Sequence, residues 1–349
     1  MNTFPPGESG ALDNDKKLSP HRRLPRIVLM GMGGTIASSA DSATQLHDYK
    51  VTATIDAVLA AVPQVLGLAD IRCEQICNVD SHEIDNAMLM VLARRAEAVL
   101  LDSEVDGLVI THGTDTLEET AYFLNLTLKT AKPVVLVGAM RPATALSADG
   151  PLNLYNAFRL AICPEASGKG VLVMLNDRIG AARYISKTCT TMTDAFRSSE
   201  QGNLGDVAGG VVHFFNTPTR LHTLATEFSL AEIGELPQVD ILYDYQGAGT
   251  HLYQAAIDAG AKGIVLAATG NGSLSPAARS GAELARRKGV MFVRSSRVGQ
   301  GIVTSSADDE LLGLVAADSL NPQKARMLLM LALGRTRDFR VVQRYFDRY

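Results

Sequence analysis

The sequence predicts an α/β protein: a larger N-terminal domain on a doubly wound, mostly parallel sheet, and a smaller C-terminal α/β domain. Three observations carry this. Apolar runs of strand length alternate with stretches of helical period. Each run ends in a tight polar turn. At 349 residues the chain is long for one core, and its periodicity weakens between residues 216 and 238. The expected order is a mobile tail over 1–24, a catalytic domain over 25–215, a linker over 216–238 and a second domain over 239–349.

Arg26–Met30 is the first buried strand and runs into Gly31-Met-Gly-Gly-Thr-Ile36. This is not a dinucleotide loop, because Ile36 stands where that fingerprint needs its last glycine; the lysine of a phosphate-binding loop is missing too. The glycines make a sharp turn that presents Thr35, whose plainest reading is a helix cap. Ala37–Val51 is polar, irregular and long enough for a flexible lid. Its aromatic residue, Tyr49, either packs on the surface or closes its phenol over Thr35.

Thr54–Val62 has helical spacing, and Ile71–Cys77 is a strand ending at Asn78-Val-Asp-Ser-His-Glu83. Ser81 or Asp80 caps the helix Asp85–Leu101. Gly107–Ile110 is a strand that leads into Thr111-His-Gly-Thr-Asp-Thr-Leu-Glu-Glu-Thr120. That turn sets a hydroxyl (Thr114) beside a carboxylate (Asp115) at the carboxyl end of a buried strand, where open α/β sheets hold their ligands. Gly113 lets the backbone pass close to whatever binds. Glu118 and Glu119 complement the dipole of the helix Leu117–Leu124, a structural role. Pro133–Gly138 and Gly170–Met174 are strands, with the helix Leu152–Ile162 between them and Pro151 at its start. Arg183–Thr191 carries Lys187 among hydroxyls.

The second set of units reads as strand Val239–Tyr243, helix Leu252–Ala259, strand Gly263–Ala267, helix Pro276–Lys288 and strand Val290–Arg294. A last long helix opens at Asn321-Pro-Gln-Lys-Ala-Arg326 and runs to Leu333. Thr269-Gly-Asn-Gly-Ser273 is one more polar turn after a strand.

A formal charge of −4 argues against nucleic acid. No apolar run has membrane-spanning length, and the N-terminal stretch lacks the apolar segment of a secretory signal. Cys73 and Cys77 stand close but have no second pair, and a strand would put both on one face as buried thiols. With Cys163 and Cys189 they fit a reducing, cytoplasmic setting. The histidines make no zinc pattern, so metal and phosphate chemistry have little support.

Thr35, Ser81, Thr114 and Ser273 all follow strands. A threonine hydroxyl needs a neighbouring base to act as a nucleophile. Lys187 beside Asp115 could take a proton from Thr114, and Tyr49 could do so for Thr35. Backbone N–H groups at the turns could hold an oxyanion. Together these would make acyl-transfer chemistry, provided that the groups meet.

Gly33-Gly-Thr-Ile-Ala37, Thr111-His-Gly-Thr-Asp-Thr116, Val137-Gly-Ala-Met-Arg-Pro142, Ser147-Ala-Asp-Gly-Pro151, Arg294-Ser-Ser-Arg297 and Leu320-Asn-Pro-Gln-Lys-Ala-Arg326 stand in this order. Jointly they resemble the hallmark segments of the bacterial-type L-asparaginase and glutaminase-asparaginase family. The resemblance implies cofactor-free hydrolysis of L-asparagine to L-aspartate and ammonia, with L-glutamine as a secondary substrate. It implies Thr35 as the acyl-forming nucleophile, Tyr49 as the lid tyrosine that activates it, and Thr114, Asp115 and Lys187 as a second catalytic group. Asp115 would hold the substrate α-amino group, Thr114 the attacked amide or water, and Ser81 the α-carboxylate, with Gly113 and His82 alongside. Ser273 matches a position lent across a subunit interface in a homotetramer of intimate dimers. His82 stands where the family has Gln or Glu. Ser306 falls near the family's interface Glu, with Asp308 or Asp309 as candidate substitutes. The competing classes are an amidase subunit of a tRNA-dependent amidotransferase and a non-enzymatic amino-acid-binding protein.

Overall fold

The computed structural model describes residues 23–349; the expected tail lies outside the described residues except for Arg23 and Leu24. Strand β1 (Arg26–Gly33) is followed by the short pair β2 (Ser38–Ser39) and β3 (Lys50–Val51), helix α1 (Ile55–Ala60) and β4 (Asp70–Val79). Next come α2 (Asn86–Leu101), β5 (Gly107–Thr111), α3 (Leu117–Thr127), β6 (Val134–Val137), α4 (Gly150–Ala161) and β7 (Val171–Leu175). After them run β8 (Arg178–Ala181), β9 (Ser186–Lys187), β10 (Phe196–Arg197), β11 (Gly205–Ala208) and β12 (Val211–Phe214).

The larger sheet has eight strands in the order β12-β11-β8-β7-β6-β5-β1-β4. From β4 to β7 all neighbours are parallel, and β8, β11 and β12 add an antiparallel edge. The switch of direction is local chemistry. Asn176 and Asp177 take φ of 49° and 60°, the left-handed pair that closes a two-residue hairpin between β7 and β8.

Successive residues of the central strands serve opposite faces. Val28, Met30, Leu108, Ile110, Val134 and Leu136 pack under α2 and α3, while Ile27, Leu29, Val109, Val135 and Val137 pack under α1 and α4. That is the doubly wound arrangement. Capping sets where helices begin: the side chains of Thr54 and Asp85 accept the N–H groups of Ala57 and Met88.

The smaller sheet is all parallel: β13 (Val239–Tyr243), β14 (Gly263–Ala268), β15 (Met291–Ser296) and β16 (Leu314–Ala316). Helices α5 (His251–Asp258) and α6 (Pro276–Arg287) cover one face, and α7 (Ala307–Leu312) precedes β16. On the other face, α8 (Pro322–Leu333) and α9 (Phe339–Arg348) pack against Val265, Val293 and Val315. The same apolar cluster continues under α2 and α3, so one core serves both sheets. The segment expected as a linker has one 3-10 turn, Thr223–Ala225, yet Phe228, Leu230 and Leu236 are buried in that shared core.

One expectation from periodicity fails. Cys73 packs with the cluster under α1 and α4, whereas Cys77 packs on the opposite side and reaches the Met32 carbonyl. The pairing of β1 with β4 shifts between Gly31 and Gly33, from Gln75 to Val79, and this irregularity turns the strand over. Gln75 fills the break, its amide donating to the carbonyls of Gly31 and Cys77.

Asp309 was a candidate to reach across to a second subunit, but the structure uses it at home. Its carboxylate accepts Nε and Nη2 of Arg294, both at 2.7 Å, and the Ser306 N–H at 2.7 Å. Arg294 also donates to the carbonyls of Gly272 and Thr304, so this buried pair ties the turn after β14 to α7. Asp308 pairs with Arg279 instead, at the surface. Asp309→Ala should therefore cost about 3–5 kcal/mol, because it strands a buried guanidinium. Asp308→Ala should cost less than about 1 kcal/mol. Thermal unfolding of both variants beside the wild type checks this, and equal drops in midpoint would refute it.

Candidate active site

Strands β5, β1 and β4 are neighbours, so the turns at their carboxyl ends meet. The glycines let them touch. Gly34 has φ of 81°, and a Cβ there would lie 2.2 Å from the Gly113 Cα. A Cβ on Gly113 would lie 2.8 Å from the Ser81 side chain. No side chain separates the three turns, and their hydroxyls converge.

Ser81 Oγ accepts the Asp115 N–H at 3.1 Å, and Thr116 Oγ1 donates to the Ser81 carbonyl at 2.8 Å. Sequence reasoning passed over Thr116, although it sits inside the Thr111–Thr116 motif. Lys187 arrives on β9, which pairs with β10 rather than with the main sheet. Its Nζ donates to Thr114 Oγ1 at 3.0 Å and to Asp115 Oδ1 at 2.6 Å. Thr114 is buried and Lys187 nearly so, while the Asp115 side chain is 61 % exposed. An exposed carboxylate beside a covered hydroxyl and ammonium leaves one carboxylate edge free for a ligand.

Thr35 is buried, and its Oγ1 lies 3.0 Å from Tyr49 Oη. The phenol therefore does reach Thr35. The polar stretch that carries it is fixed at its base by β2 and β3, and across by Ala40 N to Thr144 Oγ1 and Leu146 N to the Ala43 carbonyl. That neighbouring loop is held in turn by Asp149, whose carboxylate accepts the N–H groups of Met140 and Arg141 and the Asn153 amide. Asp149 lies in the Ser147–Pro151 motif, which was a signal without an assigned task.

Two expected residues stand apart. His82 is exposed in the 3-10 turn Ser81–Glu83, and among the described residues it bonds to none of the groups above. Ser273 is exposed after β14, with its N–H on the Thr269 carbonyl. Among the described residues no group of three or more His, Cys, Asp or Glu side chains could hold a metal ion.

Residues 26–220 match the family model "Asparaginase, N-terminal", and residues 238–346 match "Glutaminase/Asparaginase C-terminal domain". The chain belongs to the asparaginase family. It is 54% identical over 332 residues to L-asparaginase 2 of Bacillus subtilis (strain 168), covering 95% of this chain and 88% of that one. It is 42% identical to the glutaminase-asparaginase of Pseudomonas fluorescens biotype A, covering 100% of this chain and 99% of the relative. The crystal structure of a probable cytoplasmic L-asparaginase from Campylobacter jejuni superposes with a TM-score of 0.91 at 47% identity, over 93% of this chain and all of that one. As a member of this asparaginase family, the protein is a hydrolase acting on amides.

Beside these turns His112 is fully buried, its ring spanning from the Gly113 carbonyl (2.7 Å) to Thr120 Oγ1 (2.9 Å). Burial pushes its pKa down to about 4. The ring is thus neutral at neutral pH, donating at Nδ1 and accepting at Nε2. In the unfolded chain it would bind a proton near its ordinary value of about 6.5. The folded state therefore loses up to about 3 kcal/mol as pH falls from 6.5 to 4. Burial pushes the Glu119 carboxyl up to about 7, which acts in the opposite sense. The test is therefore a difference: His112→Gln should show a smaller loss of thermal midpoint between pH 6.5 and 4 than the wild type. Parallel curves would refute it.

Proposed function

We propose that the protein hydrolyses the side-chain amide of L-asparagine to L-aspartate and ammonia, with L-glutamine as a secondary substrate. The observation that carries this is the meeting of two threonine hydroxyls with a phenol and a lysine: Thr35 lies against Tyr49, and Thr114 against Lys187, which Asp115 holds.

Tyr49 draws the proton from Thr35 as Thr35 Oγ1 attacks the amide carbon. N–H groups of the turns bear the oxyanion. The C–N bond breaks, the nitrogen takes the proton that Tyr49 drew from Thr35 and leaves as ammonia, and an ester to Thr35 remains. Lys187, oriented by Asp115, acts through Thr114 on a water molecule. The water attacks the ester, the bond to Thr35 breaks, the water oxygen stays on the acyl carbon, and the proton the water gives up ends on Thr35 Oγ1. Ser81 receives the α-carboxylate and the exposed edge of Asp115 the α-ammonium. No cofactor enters any step.

The unit boundary falls within 216–238, and the working form is a homotetramer of intimate dimers in which Ser273 serves a neighbouring subunit's site. The exposure of Ser273, which makes no hydrogen bond to the site groups of its own chain among the described residues, supports that reading. The protein works in the cytoplasm, in keeping with the Campylobacter jejuni relative described as a probable cytoplasmic L-asparaginase.

Ammonia release from L-asparagine and L-glutamine at neutral pH tests the activity, with asparagine expected well ahead. Thr35→Val should reduce kcat by about 10,000-fold or more, and Lys187→Met by about 100- to 10,000-fold, both with wild-type circular dichroism. Folded variants that keep their turnover would sink the mechanism.

A further inference from the structure

The Leu320–Arg326 motif lies far along the chain from every group of the site, yet its side chains grip both segments that carry the second threonine group. Lys324, in the first turn of α8, is 1% exposed. Its Nζ donates to the Arg183 carbonyl at 3.4 Å and to the Ile185 carbonyl. Those residues lead directly into β9 and Lys187. Asn321, the N-cap of α8, donates through Nδ2 to Ser186 Oγ and to Glu118 Oε2, both at 3.1 Å. Gln323 Nε2 donates to Glu118 Oε1 at 3.1 Å, and Lys324 Nζ lies 3.7 Å from Glu118 Oε2. Glu118 opens α3, straight after the turn that holds Thr114 and Asp115.

This cluster is built against its own solvation. Burial pushes the Lys324 ammonium down to about 8 even with the Glu118 carboxylate holding it up. An apolar side chain would fill such a space without that penalty, so what the pair supplies is position. Position is what β9 lacks, because its two residues pair with β10 and not with the main sheet. The 2.6 Å and 3.0 Å contacts of Lys187 with Asp115 and Thr114 need that strand to be held from elsewhere.

We propose that Lys324, together with Asn321 and Glu118, is a positioning residue of amide hydrolysis, fixing the backbone of 183–187 against the start of α3 so that Lys187 meets Thr114 and Asp115. This rests on the hydrolytic reading above, and none of the three touches the reacting atoms.

Lys324→Met keeps the length of the side chain and removes the donors. Its kcat on L-asparagine should fall at least about tenfold while KM stays within about threefold, since Thr35, Ser81 and Asp115 stay in place. Amide hydrogen exchange of the peptide 183–189 should speed up, with β1 and β5 unchanged. The double variant Glu118→Gln/Lys324→Met leaves no buried charge behind; it secures the fold and should show both changes. Arg335→Ala, which cuts a surface pair with Glu232 beyond α8, should show neither. A folded Lys324→Met or double variant with kcat within about twofold of the wild type, or with unchanged exchange over 183–189, overturns the proposal. If the wild type releases no ammonia from either amino acid, the hydrolytic reading falls; the exchange measurement alone then decides whether Lys324 holds the segment.

Discussion

The constraint on which the rest depends is the side-chain-free contact among the turns after β1, β4 and β5. Gly34 lies on Gly113, and Gly113 lies on Ser81. A methyl group at either glycine would drive the turns apart. That separation would break the bond from the Asp115 N–H to Ser81 and shift Thr114 relative to Thr35. The parallel sheet brings the strand ends side by side, and the glycines turn neighbourhood into contact.

Around this contact the two threonine groups are held by different means. Thr114 and Asp115 belong to the turn itself, at the head of a buried helix. Tyr49 stands just before β3 and Lys187 in β9, each at a short two-stranded ribbon outside the main sheet. The protein thus places its hydroxyls on rigid elements and the side chains that meet them on lighter ones, each tethered by side chains from afar. Asp149 braces the loop beside the stretch that carries Tyr49, and Lys324 with Asn321 braces β9 and the residues that lead into it.

Much of this could be read from the residues alone. Continuous apolar runs gave the central strands, and each polar turn after a strand marked a place where a ligand could sit. The meeting of Thr35 with Tyr49, and of Thr114 with Lys187, could not be read that way. Spacing says nothing about contacts between residues 73 positions apart. Resemblance supplied that expectation, and the geometry is consistent with it. Local irregularities escaped the sequence reading. The register shift that turns Cys77 over is set by pairing with β1, and the hairpin at Asn176 by two left-handed residues without glycine. Helices α7 and α9 were missed as well: α7 is short, whereas the spacing of Val342, Tyr345 and Phe346 in α9 was a helical signal left unread. Asp309 looked available until Arg294 was seen to claim both of its oxygens.

The shared core beneath the two sheets has a consequence for how the molecule can come apart. Helices α2 and α3 from the first half and α8 and α9 from the second press on one apolar mass, with Phe228 of the connecting segment inside it. Severing the chain anywhere in 216–238 would yield two fragments, each with half of a core open to water. Each fragment would keep an apolar layer of its own, under α1 and α4 in one and under α5 and α6 in the other, but would lose the layer the two halves share, so the halves are partners in folding before they are partners in chemistry.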